Sequence, residues 1–153
     1  MRLRCLIPAL AAALALGCAD ATGPSSEALA LEEHEAYWLA HGPASYQYVI
    51  QRLCECVPEA TVPVTVVVRD GEVLARRNAI TGAPVDPQFD QIFVPVPGLF
   101  ALVRQAIELP AAALAVRYNG AWGFPESIQI DWVAGVVDDE FSYSVTGFSA
   151  IIE

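Results

Sequence analysis

The chain has 153 residues, 55% of them hydrophobic and 17% charged, and its 18 acids face 8 basic residues for a formal net charge of −10. All eight basic residues are arginines. An acidic balance of this size excludes nucleic acid and anionic lipid headgroups as favourable partners, because both carry the same sign of charge.

The N-terminal stretch "MRLRCLIPALAAALALGCAD" places Arg2 and Arg4 before an uncharged run from Cys5 to Gly17. A spanning helix needs about 20 apolar residues, so the run is too short to cross a membrane and has the form of a secretory leader. It ends in "ALGC", which is similar to the lipobox at which bacterial lipoproteins are cut and the new terminal cysteine is acylated. Residues 1–17 are therefore expected to be a signal peptide and Cys18 the lipidation site, carrying palmitate-type chains. Ala15 stands where a lipobox ordinarily has Leu, Val or Ile, and a plain signal peptide cut at an Ala-rich site is the competing reading. Ala19 rather than an aspartate follows the cysteine, which in Gram-negative sorting implies the outer membrane. The expected location is the cell envelope, lipid-anchored. Without Arg2 and Arg4, six arginines face 18 acids, a balance of −12. No later stretch is apolar for long enough to span a bilayer, so membrane attachment is expected through the lipid alone.

A lipidated linker over residues 18–26 leads into a domain over 27–153, a length that suits one core. "EALALEEHEAYWLAHGP" predicts a helix over 27–41, with Ser26 as N-cap and Gly42-Pro43 as its stop. "SYQYVIQRLC" reads as a strand with Tyr46, Tyr48, Ile50 and Cys54 on one face, a series broken by Arg52. The next residues, "RLCECVPEA", hold two cysteines one residue apart. With Cys5 lost in the leader and Cys18 acylated, Cys54 and Cys56 are the remaining thiols, and in an oxidising compartment they are expected to pair. On an ideal strand their Cα atoms would stand about 6.5–7 Å apart, the upper limit for a bridge, so pairing requires a local bend. Metal ligation and redox exchange are the other readings of the pair.

"VPVTVVVRDGEVLARR" predicts a hairpin turning at Asp70-Gly71, with Val68 opposite Val73 and Val66 opposite Ala75. After a Pro- and Gly-rich passage, "PGLFALVRQAIEL" predicts a second helix with Leu99, Leu102, Val103, Ala106 and Ile107 at helical spacing, ended by Pro110. "ALAVRY", "ESIQIDW" and "EFSYSVTGF" read as three strands. In the last two, Ile128, Ile130 and Trp132 alternate with Ser127, Gln129 and Asp131, while Phe141, Tyr143 and Val145 alternate with Ser142, Ser144 and Thr146. Such alternation gives each strand one buried and one wet face. A helix followed by three strands, twice, predicts an α+β fold: an antiparallel sheet of about six strands with both helices on one face.

The order of "SYQYVIQRLCEC", "VTVVVRDGEV", "VRYNGAWGFPESIQIDW" and "VVDDEFSYSVTGF" resembles the bacterial lipoprotein family catalogued as domain of unknown function 6174. The matching positions are Trp38, Tyr46, Tyr48, Cys54, Cys56, Asp70, Gly71, Gly123, Pro125, Asp131, Asp138 and Asp139. Ala121 and Trp122 depart from it, standing where polar residues are commoner. The resemblance implies no activity and no catalytic residues.

Candidate chemistry is sparse. His34 and His41 stand about 10.5 Å apart along one helix and cannot both join the two thiols at one zinc. Asp131, Asp138, Asp139 and Glu140 offer the hard oxygens calcium needs, but not the spacing of an EF-hand loop. No serine sits in an elbow motif and no Gly-rich loop precedes a helix, so an enzyme is not expected, and neither a metal nor a cofactor is assigned. Binding is the expected role, to another envelope protein or a small ligand. The candidate surfaces are the aromatic loop with Trp122 and Phe124, the acids Asp131, Asp138 and Asp139, and the hydroxyl-rich sheet face. A purely structural lipoprotein is the alternative.

Overall fold

The computed structural model describes residues 25–136 and 138–152. The expected leader with Cys5, the lipidation candidate Cys18 and the expected linker up to residue 24 lie outside the described residues. The elements run α1 (Ser26–His41), β1 (Tyr46–Leu53), β2 (Val64–Arg69), β3 (Glu72–Asn78), α2 (Val96–Glu108), β4 (Ala113–Tyr118), β5 (Pro125–Asp131) and β6 (Phe141–Ala150). The helix-plus-three-strands pattern thus occurs twice. The six strands form one antiparallel sheet in the order β3-β2-β1-β6-β5-β4, so each half is a meander and the pairing of β1 with β6 joins the halves.

Ser25, one residue before the predicted cap, starts α1: its Oγ accepts the Ala28 N–H at 3.2 Å. This satisfies one of the orphan donors of the first turn. The helix buries little, chiefly Leu31 and Trp38, and is tied down by side chains at its flanks. Arg104 of α2 pairs with Glu35, and His34 stacks on Tyr118 with ring centroids 4.0 Å apart. In contrast α2 turns Val96, Leu99, Phe100, Val103 and Ala106 into the core. They meet Tyr48, Ile50, Val64, Val66, Ile128 and Ile130 of the sheet. Burying each large apolar side chain contributes about 1.5–3 kcal/mol, so α2 rather than α1 anchors the helical layer.

The hairpin turns at Asp70 and Gly71 with φ of 50° and 81°, the signs a type I′ turn requires. Val68 does face Val73, but Val66 faces Arg76 rather than Ala75, because the register shifts between Val67 and Val68 and leaves Leu74 as an extra residue. This bulge swings Arg76 to the helical side of the sheet. There its Nε donates to the Phe93 carbonyl at 2.7 Å, and its Nη1 stands 3.2 Å from Asp90. A second bulge separates the pairs Gln47–Ser149 and Val49–Thr146. Gly147 takes it up with φ of 61°, a conformation that costs other residues about 1–2 kcal/mol. The resulting change of parity sends Phe148 inward, 4.7 Å from Phe124 and 5.9 Å from Trp38.

Two tyrosines of β1 reach across to the entrance of α2. The Tyr48 hydroxyl donates to the Val94 carbonyl, and the Tyr46 hydroxyl accepts the Val96 N–H at 3.2 Å. Burial raises the Tyr46 pKa to about 12. Burial, with the neighbouring Tyr46 adding to it, holds Tyr48 well above the ordinary 10. A tyrosine whose folded pKa is raised contributes stability that is complete below pH 10 and lost as pH climbs through the folded value. Tyr48→Phe is therefore expected to lower stability by about 1–3 kcal/mol at neutral pH and to weaken the alkaline decline above pH 10. Urea denaturation at a series of pH values measures both effects.

Candidate functional site

The helices cover one face of the sheet, and the other carries a wide groove. Strand register builds its floor. Leu53, Ser142, Gln129 and Ala115 stand in one row across β1, β6, β5 and β4, and Gln51, Ser144, Ser127 and Arg117 form the next row. Ser142 and Ala115, the small side chains of the first row, lie in a cavity of about 770 Å³. Its walls include Cys54, Glu55 and Thr61 from the connection after β1, and Glu140 and Phe141 from the entry to β6. Glu55, Asp131 and Glu140 give the lining three carboxylates and no cation. Asp131 Oδ1 is buried without a hydrogen-bond partner, which leaves an acceptor unsatisfied beside the groove.

The acids expected to act together are separated. Asp131 lines the groove, Asp138 is exposed, and Asp139 Oδ2 accepts the Val133 N–H at 2.7 Å, holding its own loop. Among the described residues no three His, Cys, Asp or Glu side chains are grouped to hold one metal ion.

The aromatic loop also differs from expectation. Gly123, with φ of 77°, turns the chain so that Phe124 is only 1% exposed and packs in the core. Trp122 is half-buried, its N–H held by Asn119 Oδ1 at 2.9 Å and its ring 5.9 Å from Phe148. Phe124 is therefore not a surface binding residue; the loop's aromatics fold back because the Phe148 bulge offers them an apolar partner.

Cys54 and Cys56 stand at disulfide distance with Cα atoms 5.4 Å apart. The Cys56 N–H donates to the Cys54 carbonyl at 3.0 Å, a three-residue turn that supplies the required bend. The pair does not pack on the face of Tyr46 and Tyr48 as its parity implied. β1 ends at Leu53, and the turn lifts Cys54 to a half-buried and Cys56 to an exposed position at the rim of the groove. Arg52 stays on the helical face opposite Tyr143, its guanidinium 4.7 Å over the Phe141 ring. The aromatic rings across the register explain why a cation is tolerated in that apolar series.

A family model described as "Family of unknown function (DUF6174)" matches residues 30–150. The chain belongs to this family. The DUF6174 match spans all six strands, α2 and most of α1, and so includes every residue of the groove. A search of curated proteins and a search of solved structures each returned no significant match.

The groove was partly visible in the alternation that exposes Gln129, Ser142 and Ser144. Leu53, Ala113 and Ala115 were missed as lining residues, since only the register of four strands aligns them. A bridge between Cys54 and Cys56 closes a loop of three residues, for which chain entropy supplies about 1.5 kcal/mol. The double variant Cys54→Ser/Cys56→Ser is accordingly expected to lose no more than about 1.5 kcal/mol with an unchanged urea m-value, as measured by chemical denaturation.

Proposed function

We propose that the chain is an exported, lipid-tethered module that binds a small ligand or a protein segment at the cell envelope through the groove on the helix-free face. The observation that carries this reading is the groove itself: about 770 Å³, floored by Leu53, Ala115, Gln129 and Ser142 and edged by Glu55, Asp131 and Glu140. Concave, partly apolar surfaces with a few convergent polar groups are the usual form of binding sites. The reading is non-enzymatic and without cofactor: the groove brings carboxylates, amide and hydroxyl groups together, with no histidine in its lining. Cys54 and Cys56 act in it as a covalent staple on the groove wall. Attachment to the membrane is through lipid on Cys18, with the outer membrane as destination in a Gram-negative cell; nucleic acid is not a partner. The burial of Phe124 favours the second reading, a structural lipoprotein with no ligand.

Titration with Nile red, a neutral apolar dye, separates the two. Binding is expected to be saturable and to weaken by about tenfold, roughly 1.4 kcal/mol, in Ser142→Trp, which fills the groove. Absence of saturable binding, or equal binding by the variant, removes the binding reading. Mass spectrometry of protein from the native envelope is expected to show acyl chains on Cys18 and a mass increase of about two daltons on reduction of the Cys54–Cys56 bridge.

A further inference from the structure

The two edges of the sheet are finished differently. Along β3 the outer side is occupied by the chain itself: the Asn78 N–H bonds the Ala83 carbonyl at 2.9 Å, the Val85 N–H bonds the Arg76 carbonyl at 3.1 Å, and Arg77 bridges to Pro84. That edge also carries Glu72, Arg76 and Arg77 and a bulge, the devices by which sheets avoid edge pairing. The β4 edge has none of this over Ala113 to Val116; its own register shift lies beyond them, between Arg117 and Tyr118.

At β4 the Ala112 N–H bonds the Trp132 carbonyl at 3.3 Å, which sets the phase of the antiparallel ladder. Leu114 and Val116 pair inward with β5, and Ala113 and Ala115 direct their N–H and C=O groups away from the sheet. Among the described residues no backbone group of another segment bonds them. Both alanines are exposed. Recesses flank the strand on each side: the 770 Å³ groove on the free face, and cavities of about 340 and 640 Å³ on the helical face between β4 and α1. A strand laid along β4 would send alternate side chains into the two sets of recesses. Acids border both, Asp131 and Glu140 on one side and Glu27 and Glu33 on the other. Arg117, the strand's one cation, is already 2.8 Å from Glu126.

We propose that β4 accepts an extended, basic segment of a partner protein as a seventh strand. Main-chain hydrogen bonds to Ala113 and Ala115 supply register, and the bordering carboxylates select lysine or arginine at alternating positions. The acidic rims that favour such a segment disfavour self-pairing with a second copy. This inference goes beyond the groove reading and does not depend on it, since an apolar dye forms no ladder.

The test uses the full chain and a fluorescent eight-residue peptide alternating lysine and valine, followed by anisotropy. Saturable binding is expected, weakened about tenfold or more when glutamate replaces lysine and when salt rises from about 50 to about 500 mM. Ala115→Pro removes an outward N–H, which edge strands tolerate, and is expected to weaken binding about tenfold. A peptide N-methylated at alternate residues, which leaves the protein untouched, is expected to lose binding equally. No saturable binding, equal binding of the lysine and glutamate peptides, or indifference to both Ala115→Pro and N-methylation overturns the proposal. Concentration-dependent dimerisation abolished by Ala115→Pro also overturns it, by assigning the edge to a second copy.

Discussion

The backbone at the entrance to α2 is buried, and three side chains from the sheet supply its hydrogen bonds. Phe93 and Val96 are fully enclosed, and the polar groups around them are met by Arg76, Tyr48 and Tyr46. An unsatisfied buried group costs about 1–3 kcal/mol, so these contacts decide where the helix starts. With its start pinned, α2 lays its apolar stripe into the core over β5 and β4, and the helical layer is complete on one face. The opposite face is left to solvent, and the groove follows from that asymmetry.

Of the three bulges in the sheet, those in β3 and β6 act in the same direction, converting a residue of outward parity into one that serves the core. The extra Leu74 brings Arg76 under the α2 entrance, and Gly147 brings Phe148 against Trp38 and Phe124. A one-residue change of parity inverts every later side chain of a strand. The aromatic cluster and the arginine anchor are thus products of irregularity rather than of alternation. They also account for the closed aromatic loop, since Phe124 packs on a side chain that strict alternation would have placed outside.

Charge is divided between contacts inside the fold and the groove. Arg52, Arg76, Arg104 and Arg117 each neutralise or stack within the fold, while Glu55, Asp131 and Glu140 gather at the groove. The paired cysteines stand beside these acids on a short turn, with Cys54 in the groove wall. Of the two sheet edges one is covered by its own loop, and the other lies between acidic recesses.

Much of the architecture was legible in the residues. Periodicity marked both helices and all six strands, Asp70-Gly71 marked the hairpin, and Ile128, Ile130 and Tyr143 declared their buried faces. Local signals of this kind act over a few residues and survive without tertiary context. Alternation also identified Gln129 and Ser142 as a wet surface, but not as the floor of a cavity. The chain alone determined its elements, its acidity and its pair of thiols one residue apart, because these depend on residue type and spacing. Only the tertiary structure decided the bulges, the burial of Phe124, the outward turn of Cys56 and the grouping of Leu53, Ala115, Gln129 and Ser142, because each depends on how strands pair and pack.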